Sequence, residues 1–508
     1  MAIAWGYSPK IEKYIPLGDF PADKYLVVAA QAVENLGWKL SHVSEVGIIA
    51  YTPISLQSYS EEISVRIESN FAVVKSECVG IQMWFNDYGK NAVNLEKFFH
   101  EFEYVEFHLK DIWEESLEKF HEFSRTQDRE YFEKAPLTAK NKIKNVFYLF
   151  IPQQGYRVTP LLILLNIAFF VLKGIFGFFY LRYILLHKPS LSQIENIYYY
   201  FGANNRELIL NGQYWRLLSH QFAHGSFFHL FFNMYALAYI GLMVEHKLGV
   251  KKYLTIYLLS GICGGVLSIF FHLEGYMVGA SGAIMGLFGA FIALLISNAF
   301  EKNATRALLI STVSVTLLML VSGLRGRTDN AAHMGGLVSG FLITYILFNE
   351  KLFSIKLKMQ FKYALAFVLV FLVMGSTLAF LPNYQNSAFN KLETAYQRNI
   401  YSYMQIYQIN RSQSKALQLQ LLQKNGVKAW AKNDSLVKEM DKLVLNKDQR
   451  AQVAFHQQMV SRHLELVKLF YQQTVEEDPL KYNTQIKALQ IDINNVRLNN
   501  KSKMDTRY

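Results

Sequence analysis

The chain has 508 residues, enough for two or three domains, with 51% hydrophobic and 18% charged residues. Its mean hydropathy of +0.10 averages over unlike regions, because apolar stretches of about 20 residues lie between Val158 and Pro382 while both flanks are charged. This excludes a single soluble enzyme and a disordered chain, and a net charge of +12 suits Lys and Arg in cytoplasmic loops better than nucleic-acid binding. The two cysteines, Cys78 in the N-terminal flank and Cys263 in an apolar stretch, exclude a disulfide framework. The opening MAIAWGYSPKIEKYIPLGDF lacks a basic segment followed by an apolar one, so no cleavable signal peptide is expected.

Residues 1–120 are expected to form a soluble, cytoplasmic α+β domain. PADKYLVVAAQAVENLG and NAVNLEKFFHEFEYVEFHL have helical periodicity. WKLSHVSEVGIIAYT, EEISVRIES and FAVVKSECVG read as strands. Trp5, Trp38 and Trp84 are expected core residues. A basic linker, 121–157, precedes the first apolar span. Seven spans are expected, at roughly 158–182, 226–245, 253–272, 280–299, 306–323, 331–349 and 363–382. The first contains Lys173, which is expected to snorkel, to pair with a loop acid, or to mark a misplaced span boundary. The third to sixth are rich in Gly and Ser, which let helix backbones approach closely. Residues 351–384 hold a loop and the seventh span, and the tail 385–508 reads as amphipathic helices.

Lys140, Lys142, Lys144 and Arg157 precede span 1. Lys247, Lys251 and Lys252 lie in the 2–3 loop, Lys302 and Arg306 in the 4–5 loop, and Lys351, Lys356, Lys358 and Lys362 in the 6–7 loop. These alternate loops put the N-terminus in the cytoplasm and the C-terminus outside, against which only Arg325 and Arg327 in the 5–6 loop dissent. A prokaryotic cytoplasmic membrane is the expected setting.

Strongly polar residues inside spans are costly and mark function by default. Here they cluster. His220, His224, His229 and Asn233 run through HQFAHGSFFHLFFN into span 2, Ser281 opens span 4 in GASG, and His333 opens span 6 in AAHMGG. On the expected topology these three spans all begin at the outer side, so His229, Asn233, Ser281 and His333 share one depth. Gly282 and Gly286 on span 4, and Gly336 and Gly340 on span 6, form flat faces for a close crossing. Such a crossing brings the Ser281 hydroxyl toward the His333 imidazole, as nucleophile and general base. The Ser281 N–H at a helix start, with His229 and Asn233 one helical turn apart, would supply oxyanion donors.

These residues resemble the rhomboid intramembrane serine proteases. The matches are His220, His224, His229 and Asn233 in order, Gly279, Ser281 and Gly282 as G-x-S-G, and Ala332, His333, Gly336 and Gly340 as A-H-x-x-G-x-x-x-G. Trp215-Arg216 and the series Gly241, Glu245, Gly249 add to them. The resemblance covers roughly 155–350 and implies a six-helix core, 158–350, with span 7 as the extra helix of the seven-helix form. It implies a Ser281–His333 dyad without an acidic third member, an oxyanion site of His229, Asn233 and the Ser281 N–H, and membrane-anchored protein substrates cut in or near their transmembrane segment. Where an aromatic residue commonly stacks on the catalytic His, this chain has Met285.

His220 and His224 are expected to structure the loop, and Trp215, Arg216 and Glu245 to anchor it and the inner end of span 2. Asp329, four residues before His333, is a candidate orienting group. No cofactor, metal or nucleic acid is called for. Partners of the two flanking domains are not legible. The fold class is thus an all-α polytopic membrane core with an N-terminal α+β domain and a C-terminal helical domain. The alternative to an active protease is a rhomboid-like protein that binds transmembrane helices without cutting them.

Overall fold

The computed structural model describes residues 9–54, 59–80, 86–109, 113–125, 146–188, 196–297, 299–300, 302–324, 328–352, 355–409, 413–478 and 480–505. Trp5, Trp84, Lys140, Lys142, Lys144, Arg325 and Arg327 lie outside the described residues. The chain divides into two compact units. One is built of 1–188, 195–205 and 214–380, the other of 189–194, 206–213 and 381–508.

In the first unit, β1 (Lys10–Pro16), α1 (Ala22–Asn35), β2 (Lys39–Ser44), β3 (Gly47–Tyr51), β4 (Glu61–Glu68), β5 (Phe71–Cys78), α2 (Lys90–His108) and α3 (Trp113–Arg125) come first. The five strands form one antiparallel sheet in the order β1-β5-β4-β3-β2. The stretch expected as one strand after Trp38 is instead the β2–β3 hairpin, turning at Glu45 and Val46, and β1 was not anticipated. Period-2 alternation sends Ile48, Ala50, Ile63, Val65, Ala72 and Val74 to an apolar cluster shared with α1, α2 and Trp38. The opposite face holds a buried ion cluster, Lys75 bonded to Glu77 at 2.6 Å and 3.5 Å from Glu62. Ile49, Tyr51 and Val79 join the apolar core of the long helices, and Gly80 packs on Ser311. The sheet therefore shares a core with those helices within one compact unit.

The helices that follow are α4 (Val158–His187), the short α5 (Ile197–Tyr200), α6 (Arg206–Leu210) and α7 (Arg216–Ser219), then α8 (Phe227–Phe271), α9 (Ser281–Ile296), α10 (Lys302–Leu324), α11 (Asn330–Phe348) and α12 (Met359–Phe380). Among the described residues, α4, α8, α10, α11 and α12 are long and apolar enough to cross a membrane. The apolar α9 is shorter, at 16 residues. α8 runs for 45 residues but breaks at Gly249, whose φ of 72° and ψ of 170° are not helical. Its halves fold back on each other: a β-carbon on Gly241 would lie 2.7 Å from the Tyr253 hydroxyl, twelve positions on, where a continuous helix would separate them by about 18 Å.

The start of α4 is tied to α8 by Glu245. Its carboxylate accepts the backbone N–H groups of Arg157, Val158 and Thr159 at 2.6, 2.8 and 2.9 Å, and the Thr159 hydroxyl at 2.8 Å. A helix start leaves its first N–H groups without intrahelical partners, and a buried carboxylate satisfies three of them here.

The second unit contains α13 (Asn386–Met404), α14 (Lys415–Leu421), α15 (Lys428–Met440), α16 (Lys447–Glu476) and α17 (Asn483–Asp505), with a π-helical turn Leu422–Val427 between α14 and α15. Phe389, Tyr396, Tyr403, Trp430, Val453 and Val460 form its core. Asn446 and Gln449 make a reciprocal capping box at the start of α16. α6 belongs to this unit too. Arg206 donates to the Pro382 carbonyl at 3.1 Å, Glu207 accepts the Ser387 N–H at 2.8 Å, and Asn383 donates to Asn211 at 2.8 Å.

Candidate active site

The glycines of α9 and α11 allow their backbones to touch. A β-carbon on Gly336 would lie 1.9 Å from the Gly282 carbonyl oxygen, and one on Gly340 2.1 Å from that of Gly286. The second half of α8 joins at the same level: a β-carbon on Gly264 would lie 2.7 Å from the Ala332 carbonyl oxygen, and one on Gly286 1.8 Å from the Ser260 hydroxyl. Ser260 and Gly264 were not singled out in the sequence, although small residues at a spacing of four were the available signal.

Ser281 is the first residue of α9 and is half-buried. The preceding Ala280 has no side-chain oxygen to cap the helix, so the N–H groups of its first turn are left open. His333 lies in the first turn of α11 and is buried. The two residues sit at one level of the crossing, since a β-carbon on Gly282 would lie 3.5 Å from the carbonyl oxygen of Ala332. Neither ring nitrogen of His333 has a hydrogen-bond partner. No hydrogen bond therefore joins Ser281 and His333.

His229 and Asn233 converge on the chain just before Ser281. A β-carbon on Gly279 would lie 2.9 Å from His229 Nε2 and 3.7 Å from Asn233 Nδ2. Gly279 has a φ of +136°, which favours glycine on its own account. Asn233 Nδ2 is buried and donates to nothing. A buried donor without an acceptor is costly, and it suits a place where an oxyanion forms only transiently. The helix start that carries both residues is fixed by Ser226, whose hydroxyl accepts the His229 N–H at 3.2 Å.

The remaining sequence candidates hold this frame. His220 Nδ1 bonds the Arg216 carbonyl at 2.9 Å, its ring packs on Gly265, and its own carbonyl accepts the Gly279 N–H at 3.0 Å. Burial pushes its imidazole down to about 4. His224, pushed down to about 3, chiefly by burial, faces the His229 ring edge-on at 5.1 Å. Arg216 is buried, donates to the Tyr199 and Ala203 carbonyls at 3.0 and 3.2 Å, and stacks against the Trp215 ring. Met285 is buried in the core. Asp329 does not orient the His333 ring. It caps α11 by accepting the Ala332 N–H at 2.9 Å, and it is bonded by the Ser268 hydroxyl. Lys173 meets no acid among the described residues: its ammonium donates to the His224 carbonyl.

A family model described as the Rhomboid domain matches residues 211–350. The rhomboid protease AarA of Providencia stuartii is 33% identical over 220 residues, covering 38% of this chain and 74% of that protein. RHOMBOID-like protein 5 of Arabidopsis thaliana is 35% identical over 167 residues, 32% of this chain and 52% of the relative. Rhomboid-like protease 1 of Toxoplasma gondii is 37% identical over 161 residues, 31% and 55% respectively. The chain spans about half the length of the plant relatives it matches. With plant and apicomplexan proteins beside a bacterial one, these likenesses do not support the expected prokaryotic setting. The match to the bacterial protease over three quarters of its length, the domain match and the apolar helices converge on one conclusion: the chain is a multi-pass membrane protein of the rhomboid family.

Proposed function

We propose that the chain is an intramembrane serine endopeptidase that cuts membrane-anchored proteins in or near their transmembrane segment. The observation that supports this reading is the crossing of α9 and α11 at Gly282 and Gly336, which brings the neighbours of Ser281 and His333, Gly282 and Ala332, into contact, with His333 buried and neither of its ring nitrogens hydrogen-bonded. His333 takes the proton of the Ser281 hydroxyl as its oxygen attacks the scissile carbonyl, and returns it to the leaving amine. Negative charge then develops on the carbonyl oxygen. His229, Asn233 and the Ser281 N–H are the donors assigned to it, in a site where fixed dipoles act strongly.

We place seven crossings in the membrane: α4, the two halves of α8, α9, α10, α11 and α12. Folding α8 at Gly249 supports that number. The N-terminus is assigned to the cytoplasm and the tail to the exterior. The Lys and Arg pattern of the loops sets this orientation, and the packing of α6, from the α4–α8 connection, with the tail after α12 supports a tail on the side opposite the N-terminus, because both must lie on one side of the membrane. The domain layout assigned on this reading is 1–120 cytoplasmic, 121–157 linker, 158–350 protease core, 351–384 loop and last crossing, and 385–508 exterior helical domain.

The test is cleavage of a single-span substrate in liposomes by the wild type, Ser281→Ala and His333→Ala, with fluorophosphonate labelling of Ser281. Cleavage and labelling by the wild type alone are expected. Equal cleavage by all three would refute the dyad. Binding without cleavage by any would leave a rhomboid-like protein that only holds transmembrane helices.

A further inference from the structure

Lys173 is a cation inside an apolar helix, and the proposed chemistry does not use it. It lies about 22 Å along α4 from Val158, and an ionisable group at such a depth persists only when it has a function or a partner. Among the described residues no carboxylate lies within 4.0 Å of its ammonium. Its contacts are the His224 carbonyl oxygen and the rings of Phe170 and Tyr198, whose centroids lie at 4.9 and 5.1 Å. Tyr198 makes a parallel contact, its hydroxyl donating to the Gly225 carbonyl at 3.3 Å. Two consecutive carbonyls, 224 and 225, are thus held from α4 and from the connection that follows it. They lie directly before Ser226, the cap that fixes His229. A β-carbon on Gly225 would sit 3.6 Å from the Tyr198 hydroxyl and 3.7 Å from His229 Nδ1, so clamp and oxyanion donor meet at one turn.

We propose that Lys173 is a positioning residue of the oxyanion site: with Tyr198 it clamps the 224–225 turn that aims His229 at Gly279, and it brings a positive charge to the side of the site where the transition state becomes negative. A half-buried cation with no carboxylate beside it among the described residues is ill-suited to stabilising the folded chain. It is well suited to a site whose anion exists only during the reaction. The inference rests on the protease reading above.

The experiment compares Lys173→Met, Lys173→Arg and Tyr198→Phe with the wild type on one single-span substrate in liposomes, measuring kcat, KM and thermal unfolding. Wild-type cleavage and Ser281 labelling come first, and their failure would sink the protease reading rather than this one. K173M is expected to lose roughly 10- to 100-fold in kcat, less than the loss of a direct oxyanion donor, with KM within about twofold because the loss falls on the transition state. K173R is expected to recover most of that loss, because it keeps both charge and donor. Should K173M fail to fold, Y198F decides, with a severalfold fall in kcat at unchanged KM expected. Wild-type kcat in K173M, or in Y198F where K173M does not fold, would overturn the proposal. So would a loss confined to KM, which would make Lys173 a contact for an acidic group on the substrate.

Discussion

Gly336 presses on the Gly282 carbonyl oxygen, at a place where a β-carbon would stand only 1.9 Å away. The relationship is not reciprocal. A β-carbon on Gly282 would meet the Ala332 carbonyl oxygen at an ordinary 3.5 Å. The crossing therefore tolerates a methyl group from one side only. We expect Gly282→Ala to fold and to retain most activity. Gly336→Ala must push α11 away from α9, costing about 1–3 kcal/mol or more by overpacking and separating His333 from Ser281. Thermal unfolding in detergent beside substrate cleavage measures both effects. Equal behaviour of the two variants would contradict the one-sided contact.

Asn233 donates to nothing in this state, since its Nδ2 is buried without a partner. Removing a donor that satisfies no acceptor should cost the fold little. Asn233→Ala is expected to unfold within a few degrees of the wild type while kcat falls about 100- to 1,000-fold, the usual range for an oxyanion donor. A variant that unfolds early and cuts in proportion to its folded fraction would make Asn233 structural.

Much of the geometry of this candidate site was legible because strongly polar residues inside apolar helices have few innocent explanations. His229, Asn233, Ser281 and His333 stood out against apolar surroundings, and Gly282, Gly286, Gly336 and Gly340 marked the faces that meet. The contributions of Ser260 and Gly264 were hidden, because a small residue at a contact looks like any other in a Gly-rich span. Asp329 invited the wrong role. Its sequence distance from His333 suits an orienting carboxylate, but at the N-cap the side chain turns back to the open N–H of Ala332. The β2–β3 hairpin was missed because Glu45-Val46 carries none of the usual Gly, Asn or Pro turn residues. Nothing in the sequence joined α6 to the tail, since contacts between residues over 170 positions apart leave no periodic trace.

Glu245 is buried, and its carboxylate collects three backbone N–H groups and one hydroxyl. It lies at the opposite end of its helix from His229, so its role is architectural. Glu245→Ala leaves several buried donors unpaired, each worth about 1–3 kcal/mol, and should unfold far below the wild type. Glu245→Gln should fall between them, because an amide offers one acceptor oxygen where the carboxylate offers two. The fraction that remains folded should cleave with an unchanged KM. A folded, stable E245Q with a raised KM would instead place Glu245 on the substrate's path.

His220 and His224 give the stability of this chain a pH dependence whose sign is fixed. Both are buried, and their pKa values fall from 6.5 to about 4 and about 3. Between pH 6.5 and these values the unfolded chain binds protons that the folded chain refuses, so stability rises with pH across that window and is level above it. Each histidine contributes a slope of about 1.4 kcal/mol per pH unit, and the pair about twice that. Unfolding in detergent should be insensitive between pH 7 and 8 and should become progressively easier from pH 6 to 4. Replacing His220 by Gln should remove about half of that slope while its neighbour retains the rest. A double H220Q/H224Q variant that keeps the full acid sensitivity would assign it to other groups.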